Sequence, residues 1–219
     1  MRFFKSPDSL SSVPITMTTN AWTPSIQSRE EQREMKRMAI LRTAARMFNQ
    51  AGFKQTSLAG LAEALNVTKP TLYYYVKNKD DILNGILELA MTELRAVAAE
   101  PAKGRNGYDQ LKRYVERYAA VMTDDFGASL IMTRISAMDT RFADTYRQAS
   151  REVLGAVRLL ITQGIVDQSI ADCNPKYAAS ALLGTLNETV YWYLVDGKES
   201  PQDTLKEFMM FFEQGFLPR

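Results

Sequence analysis

The chain has 219 residues, 46% of them hydrophobic and 24% charged, the composition of a globular protein with room for a substantial core. It holds no histidine and a single cysteine, Cys173, which removes the commonest general base, most His-containing zinc sites and any internal disulfide. Net charge is only +2, yet residues 29–79 carry ten Lys/Arg against four Glu, a local +6, while residues 80–219 stand at −5, a split that fits an electrostatic grip on phosphates by one end only, although charge alone is equally met by chance clustering on a solvated helix.

No apolar run approaches the ~20 residues that span a bilayer, and Met1-Arg2-Phe3-Phe4-Lys5-Ser6-Pro7 is not followed by an apolar segment. Neither a membrane segment nor a secretory signal is expected, and the lone thiol fits a reducing cytoplasm. There is no Walker loop and no G-x-G-x-x-G. With no paired catalytic carboxylates either, the expectation is a non-enzyme without cofactor or metal.

Residues 1–28 are rich in Ser, Thr and Pro without helical period and read as a disordered arm. A first helix is expected from Ser28 to Gln50, opened by a Ser28/Glu31 capping box and closed by Gly52. Met38, Leu41, Ala45 and Phe48 form its apolar face, broadened by Ile40, Ala44 and Met47. Arg33, Lys36 and Arg37 either reach a DNA backbone or pair with Glu30 and Glu34.

The stretch Thr56 to Tyr75 reads as two short helices and a tight turn. Thr56 or Ser57 is the first N-cap, and Leu58, Leu61, Ala62 and Leu65 the apolar stripe. Asn66 suits a left-handed turn position. Thr68 caps the second helix, whose first turn holds Pro70. That helix leads with Thr68, Lys69, Pro70 and Thr71 and continues into Tyr73, Tyr74 and Tyr75, a side-chain set that suits a major groove. Lys69 matches guanine O6/N7, and the Thr methyls or Pro70 match a thymine methyl. The Tyr hydroxyls, Thr56, Ser57 and Lys79 are better as phosphate clamps. Three consecutive tyrosines cannot all face DNA at helical spacing, so one belongs to the small core with Leu72.

The run Gly52–Leu83, GFKQTSLAGLAEALNVTKPTLYYYVKNKDDIL, closely resembles the DNA-binding domain of the TetR (tetracycline-repressor) family. The likeness lies in Gly52-Phe53, Thr56-Ser57, Leu61-Ala62, Val67, Leu72-Tyr73-Tyr74 and Lys77-Asn78-Lys79-Asp80, all in register. Asn66 replaces the usual turn glycine, and Val76 the usual aromatic. Lys79 resembles the family's phosphate-contacting lysine, and Tyr75 takes a position often held by histidine. The resemblance implies a repressor, bound as a homodimer to a palindromic double-stranded DNA operator and released by a small-molecule effector.

A fourth helix from Lys79 carries Ile82, Leu83, Ile86, Leu87, Ala90, Leu94 and Val97 on one stripe, a lever from the DNA module into the larger body. Further helices are expected near 108–123, 125–137, 141–164, 175–194 and 201–215, with breaks at Asp124-Asp125, Asp139-Thr140, the Gly164 to Pro175 stretch and Asp196-Gly197. The fold class is therefore all-α: arm 1–28, helix-turn-helix DNA-binding domain 29–79, and ligand-binding and dimerisation domain 80–219. Met and aromatic residues suit an apolar effector cavity among helices four to eight. Its candidates are Arg134, Met138, Asn187, Tyr191 and Trp192, with Arg134 equally able to pair with Asp139. The stretch Leu183–Asn187 with Tyr191-Trp192-Tyr193 is similar to family members that answer to acyl-CoA thioesters, so the effector is expected to be apolar or an acyl-CoA. Small residues Ala181 and Gly184 and the stripe Leu205, Phe208 and Phe212 are the expected dimer interface. The competing reading is a helical small-molecule-binding protein or enzyme that does not bind DNA.

Overall fold

The computed structural model describes residues 29–99, 103–133, 140–196 and 200–216. Among these, nine helices follow one another without a strand: α1 Arg29–Ala51, α2 Leu58–Ala64, α3 Lys69–Tyr73, α4 Lys79–Ala99, α5 Gly107–Thr123, α6 Asp125–Met132, α7 Thr140–Val166, α8 Pro175–Asp196 and α9 Pro201–Phe216. The expected arm and its capping Ser28 lie outside the described residues.

Apolar periodicity explains why each helix lies where it does. The α1 face buries Ile40, Leu41, Ala44, Ala45 and Phe48. Gly52 then turns the chain at φ 87, a left-handed conformation open to glycine. All seven stripe residues of α4 are buried, together with Met91. Burial of each large aliphatic side chain contributes about 1.5–3 kcal/mol, so α4 is held mainly by this stripe. One continuous core runs from α1 and α4 through α5 to α8 and ends at Met209 on α9.

Asn78 caps α4 by accepting from Asp81 N–H at 2.7 Å, and the Asp81 carboxylate accepts from Lys77 N–H at 2.9 Å. The turn after α7 closes onto the start of α5, with Asp167 accepting from Gly107 N–H and Ser169 from Tyr108 N–H. In that turn Gln168 takes φ 62, a left-handed position that the sequence did not advertise. The sixth helix is shorter than expected. It closes at Met132, because Thr133 leaves the helical region at ψ 114. Residues 134–139, with the candidates Arg134 and Met138, lie outside the described residues.

Candidate nucleic-acid interface and the junction behind it

The α2–α3 unit follows from local chemistry. Ser57 is the N-cap of α2, accepting from Gly60 N–H at 3.0 Å. Asn66 makes the turn at φ 53. Thr68 caps α3, accepting from Thr71 N–H at 3.3 Å, and the two threonine hydroxyls are 2.9 Å apart. Pro70 falls in the first turn, where no hydrogen bond is lost. Leu61, Ala62, Leu72 and Val76 are the buried side of this small unit.

The opposite side carries the candidate contacts. Thr68, Lys69, Pro70 and Thr71 are exposed, as is Ser57 at the head of α2. Tyr73 is 53% and Tyr74 69% exposed, large fractions for aromatic rings. Tyr75 is half-buried against the core and meets Tyr74 edge-on at 5.0 Å, so it is the tyrosine that turns inward. Arg33 lies 5.8 Å from the Tyr74 ring centre.

Two candidates carry internal duties. Thr56 is buried, and its hydroxyl donates to the Gly52 carbonyl at 3.1 Å. Lys79 Nζ donates to the carbonyls of Phe53 at 2.7 Å and Thr56 at 3.0 Å, and stands 4.4 Å from the Phe53 ring centre. Its ammonium thus holds the α1–α2 loop. Arg37 likewise donates to the Tyr75 carbonyl at 2.8 Å and lies 3.7 Å from Asp81, rather than pairing with Glu30 or Glu34.

Behind this unit lies a polar junction that sequence reading missed. Along α1, Arg42, Arg46 and Asn49 recur at i, i+4 and i+7, and all three meet the start of α6. Arg42 Nη1 donates to Asp124 at 2.9 Å and Asp125 at 3.4 Å, and its guanidinium lies 4.6 Å from the Phe126 ring centre. The Asp124 hydrogen bond, opposed by partial burial, raises the guanidinium pKa above its ordinary value. Arg46 Nε donates to Asp125 at 2.8 Å. Asn49 donates to the Asp125 carbonyl and accepts from the buried Ser129 hydroxyl, each at 2.9 Å. The sequence marks Asp124-Asp125 only as a helix break. The polar row flanking the apolar face of α1 was the available signal.

In the body, Asn187 accepts from the buried Tyr118 hydroxyl at 2.7 Å. One helical turn earlier, the Tyr114 hydroxyl is buried without a partner among the described residues, and burial pushes its pKa up to about 12. The side chains of Tyr191 and Trp192, at the end of α8, lie outside the described residues. A cleft of about 480 Å³ opens between α4 and α7, lined by Asn84, Thr92, Arg95, Phe142 and Thr145 among others.

Of the expected interface, Ala181 and Gly184 are exposed, and a Cβ placed on Gly184 would meet nothing within 4 Å. Leu205, Phe208 and Phe212 are half-buried, with Leu205 and Phe212 leaning on the chain's own core. The exposed apolar area of α9 is carried by Met210 and by Phe211, which is 72% exposed.

Comparison with known proteins bears on this architecture. Residues 104–216, just over half of the chain, match the family model described as the tetracyclin repressor-like C-terminal domain. Residues 40–86 match that of bacterial regulatory proteins, tetR family. The fatty acid metabolism regulator protein of Bacillus subtilis (strain 168) is 25% identical over 175 residues, 77% of this chain and 89% of that one. Among solved structures, the regulator PfmR of Thermus thermophilus has a TM-score of 0.66 at 22% identity, covering 77% of this chain and 93% of that one. AibR, solved with isovaleryl coenzyme A and operator DNA, has a TM-score of 0.63 at 19% identity, covering 79% and 95%.

Proposed function

The chain belongs to the tetR family of bacterial regulatory proteins, and from that premise we propose that it is a repressor that grips a palindromic operator as a homodimer and lets go when an acyl-type effector enters its body. As a family member it is a transcriptional regulator with an N-terminal helix-turn-helix and a C-terminal helical domain. The operator, the direction of regulation and the effector are our reading.

The observation that carries it is the presentation of α3. Its apolar Leu72 is buried, while Thr68, Lys69, Pro70, Thr71, Tyr73 and Tyr74 stand exposed together on the unit that holds the chain's excess positive charge. A five-residue helix buries too little surface for specific binding alone. Two of them, related by a two-fold axis, read half-sites about 34–36 Å apart. The acyl reading is supported by the Bacillus fatty acid metabolism regulator and by AibR with its isovaleryl coenzyme A. Effector release requires different affinities for two states of the protein.

The test is a gel shift on the duplex upstream of the chain's own gene, repeated over a salt series and then with isovaleryl-CoA, palmitoyl-CoA or free CoA. A salt-dependent complex that an acyl-CoA dissolves and free CoA leaves intact is the expected result. No complex even in dilute buffer refutes the operator reading. A complex indifferent to both thioesters refutes the acyl reading alone.

A further inference from the structure

We propose that the polar clamp between α1 and the start of α6 fixes the half-site spacing that the dimer accepts. The inference rests on the reading of the chain as a dimeric operator binder, and adds to it which residues set the distance between the two reading heads.

The α1–α3 unit meets the body mainly in two ways, beside a lighter contact of α1 with α8. One is covalent, through α4, which leaves α3 after only a short link and runs into the core. A unit held by one helix alone keeps freedom to swivel about it. The second attachment is the clamp, where Arg42, Arg46 and Asn49 on α1 bind Asp124, Asp125 and Ser129. It ties a different helix of the reading head to a different helix of the body, which removes the swivel.

Both sides of the clamp are firm. Asp124 is already fixed as the N-cap of α6, accepting from Phe126 N–H at 3.1 Å, so the oxygen facing Arg42 is pre-aimed. The two aspartates also sit where a helix dipole favours negative charge. Gly127 packs so tightly that a Cβ there would overlap the Val121 carbonyl, so the start of α6 cannot shift without α5. On the other side, the three polar residues share α1 with the buried face of Ile40, Ala44 and Phe48. Adjacent base pairs are about 3.4 Å apart, and a small tilt at the clamp is enlarged at α3, so a firm clamp confines the dimer to one spacing.

The test uses the full chain and a pool of duplexes with a randomised centre. Wild type, the Arg42→Ala/Asn49→Ala double variant, Arg42→Lys and Arg46→Ala each select from the pool, and the bound duplexes are sequenced. Arg46 is 60% exposed, so its variant folds even if the double variant does not; circular dichroism monitors both. Wild type is expected to select one half-site sequence at one spacing. The double variant should keep the half-site sequence but accept spacings one base pair longer and shorter. Its discrimination against a one-base-pair insertion should fall several-fold, with Arg46→Ala intermediate and Arg42→Lys close to wild type. Unchanged spacing in the variants, or an affinity loss equal at every spacing, overturns the proposal. A wild type that enriches no duplex overturns the operator reading beneath it.

Discussion

Lys79 shows how a single side chain can hold a structural duty that the sequence does not display. Its place after Lys77-Asn78 matches a phosphate-contacting lysine, yet its ammonium is spent on the carbonyls of Phe53 and Thr56. Charged hydrogen bonds of this kind contribute about 1.5–3 kcal/mol each, less where solvent reaches them. Lys79→Met is therefore expected to cost about 1–2 kcal/mol of stability, seen as a lower urea midpoint; an unchanged midpoint would show the loop does not need it. Asn66 behaves differently, since its turn role was legible from its residue type alone. At φ 53, Asn66→Ala should cost about 1 kcal/mol while Asn66→Gly stays near neutral. Equal destabilisation by the two would mean that the Asn side chain, not the backbone, matters there. The contrast is physical. A left-handed turn is a local property of a few residues, whereas the partner of a lysine depends on which carbonyls the tertiary fold brings within reach.

Whole helices divide along the same line. The α4 stripe was legible but for Met91, because burial on one side writes a helical period into the sequence. The junction of α1 with α6 was not, because a polar row beside an apolar face looks like ordinary solvated surface until the facing helix is known. The α5–α6 corner hinges on Gly127, and Gly127→Ala should lower stability by about 1–3 kcal/mol, the usual range for overpacking; a Tm equal to wild type would contradict so close an approach. At the far end, α9 is tied to α5 through Glu213, which accepts from the Tyr108 hydroxyl and from Lys112 at 3.2 Å. The Tyr108 hydrogen bond, aided by Lys112 and opposed by partial burial, holds the Glu213 carboxyl below its ordinary value. A folded-state pKa below the unfolded one contributes stability that is present above the unfolded value of 4.5 and is lost as pH falls through the folded value. Glu213→Gln should thus lower Tm near neutral pH, and its difference from wild type should shrink as the pH is taken well below 4.5. A difference that stays constant with pH would assign the loss to packing alone.

At the scale of the molecule, two asymmetries point the same way. Charge is split, with the basic excess on residues 29–79 and the acidic excess on residues 80–219, so a duplex is attracted to one end and repelled by the other. Apolar exposure is also uneven. Phe211 and Met210 on α9 are exposed, as are Leu159 and Val166 on α7 and Tyr177 on α8, and Ala181 and Gly184 on α8 leave room for a close approach. The stripe Leu205, Phe208 and Phe212 is the sequence-based choice for an interface, but two of its members already support the chain's own core. Phe211, off that stripe, makes the sharper test. A solvent-facing ring contributes little to the stability of an isolated chain, whereas a charge placed at the centre of a helix–helix interface must be desolvated without a partner. Phe211→Glu is therefore expected to halve the mass seen by light scattering while helicity is retained. The resulting monomer should lose the joint grip on two half-sites and bind a palindrome no better than a single half-site. A variant that stays dimeric would move the interface away from α9, and a monomer that still prefers the palindrome would sever dimerisation from operator recognition.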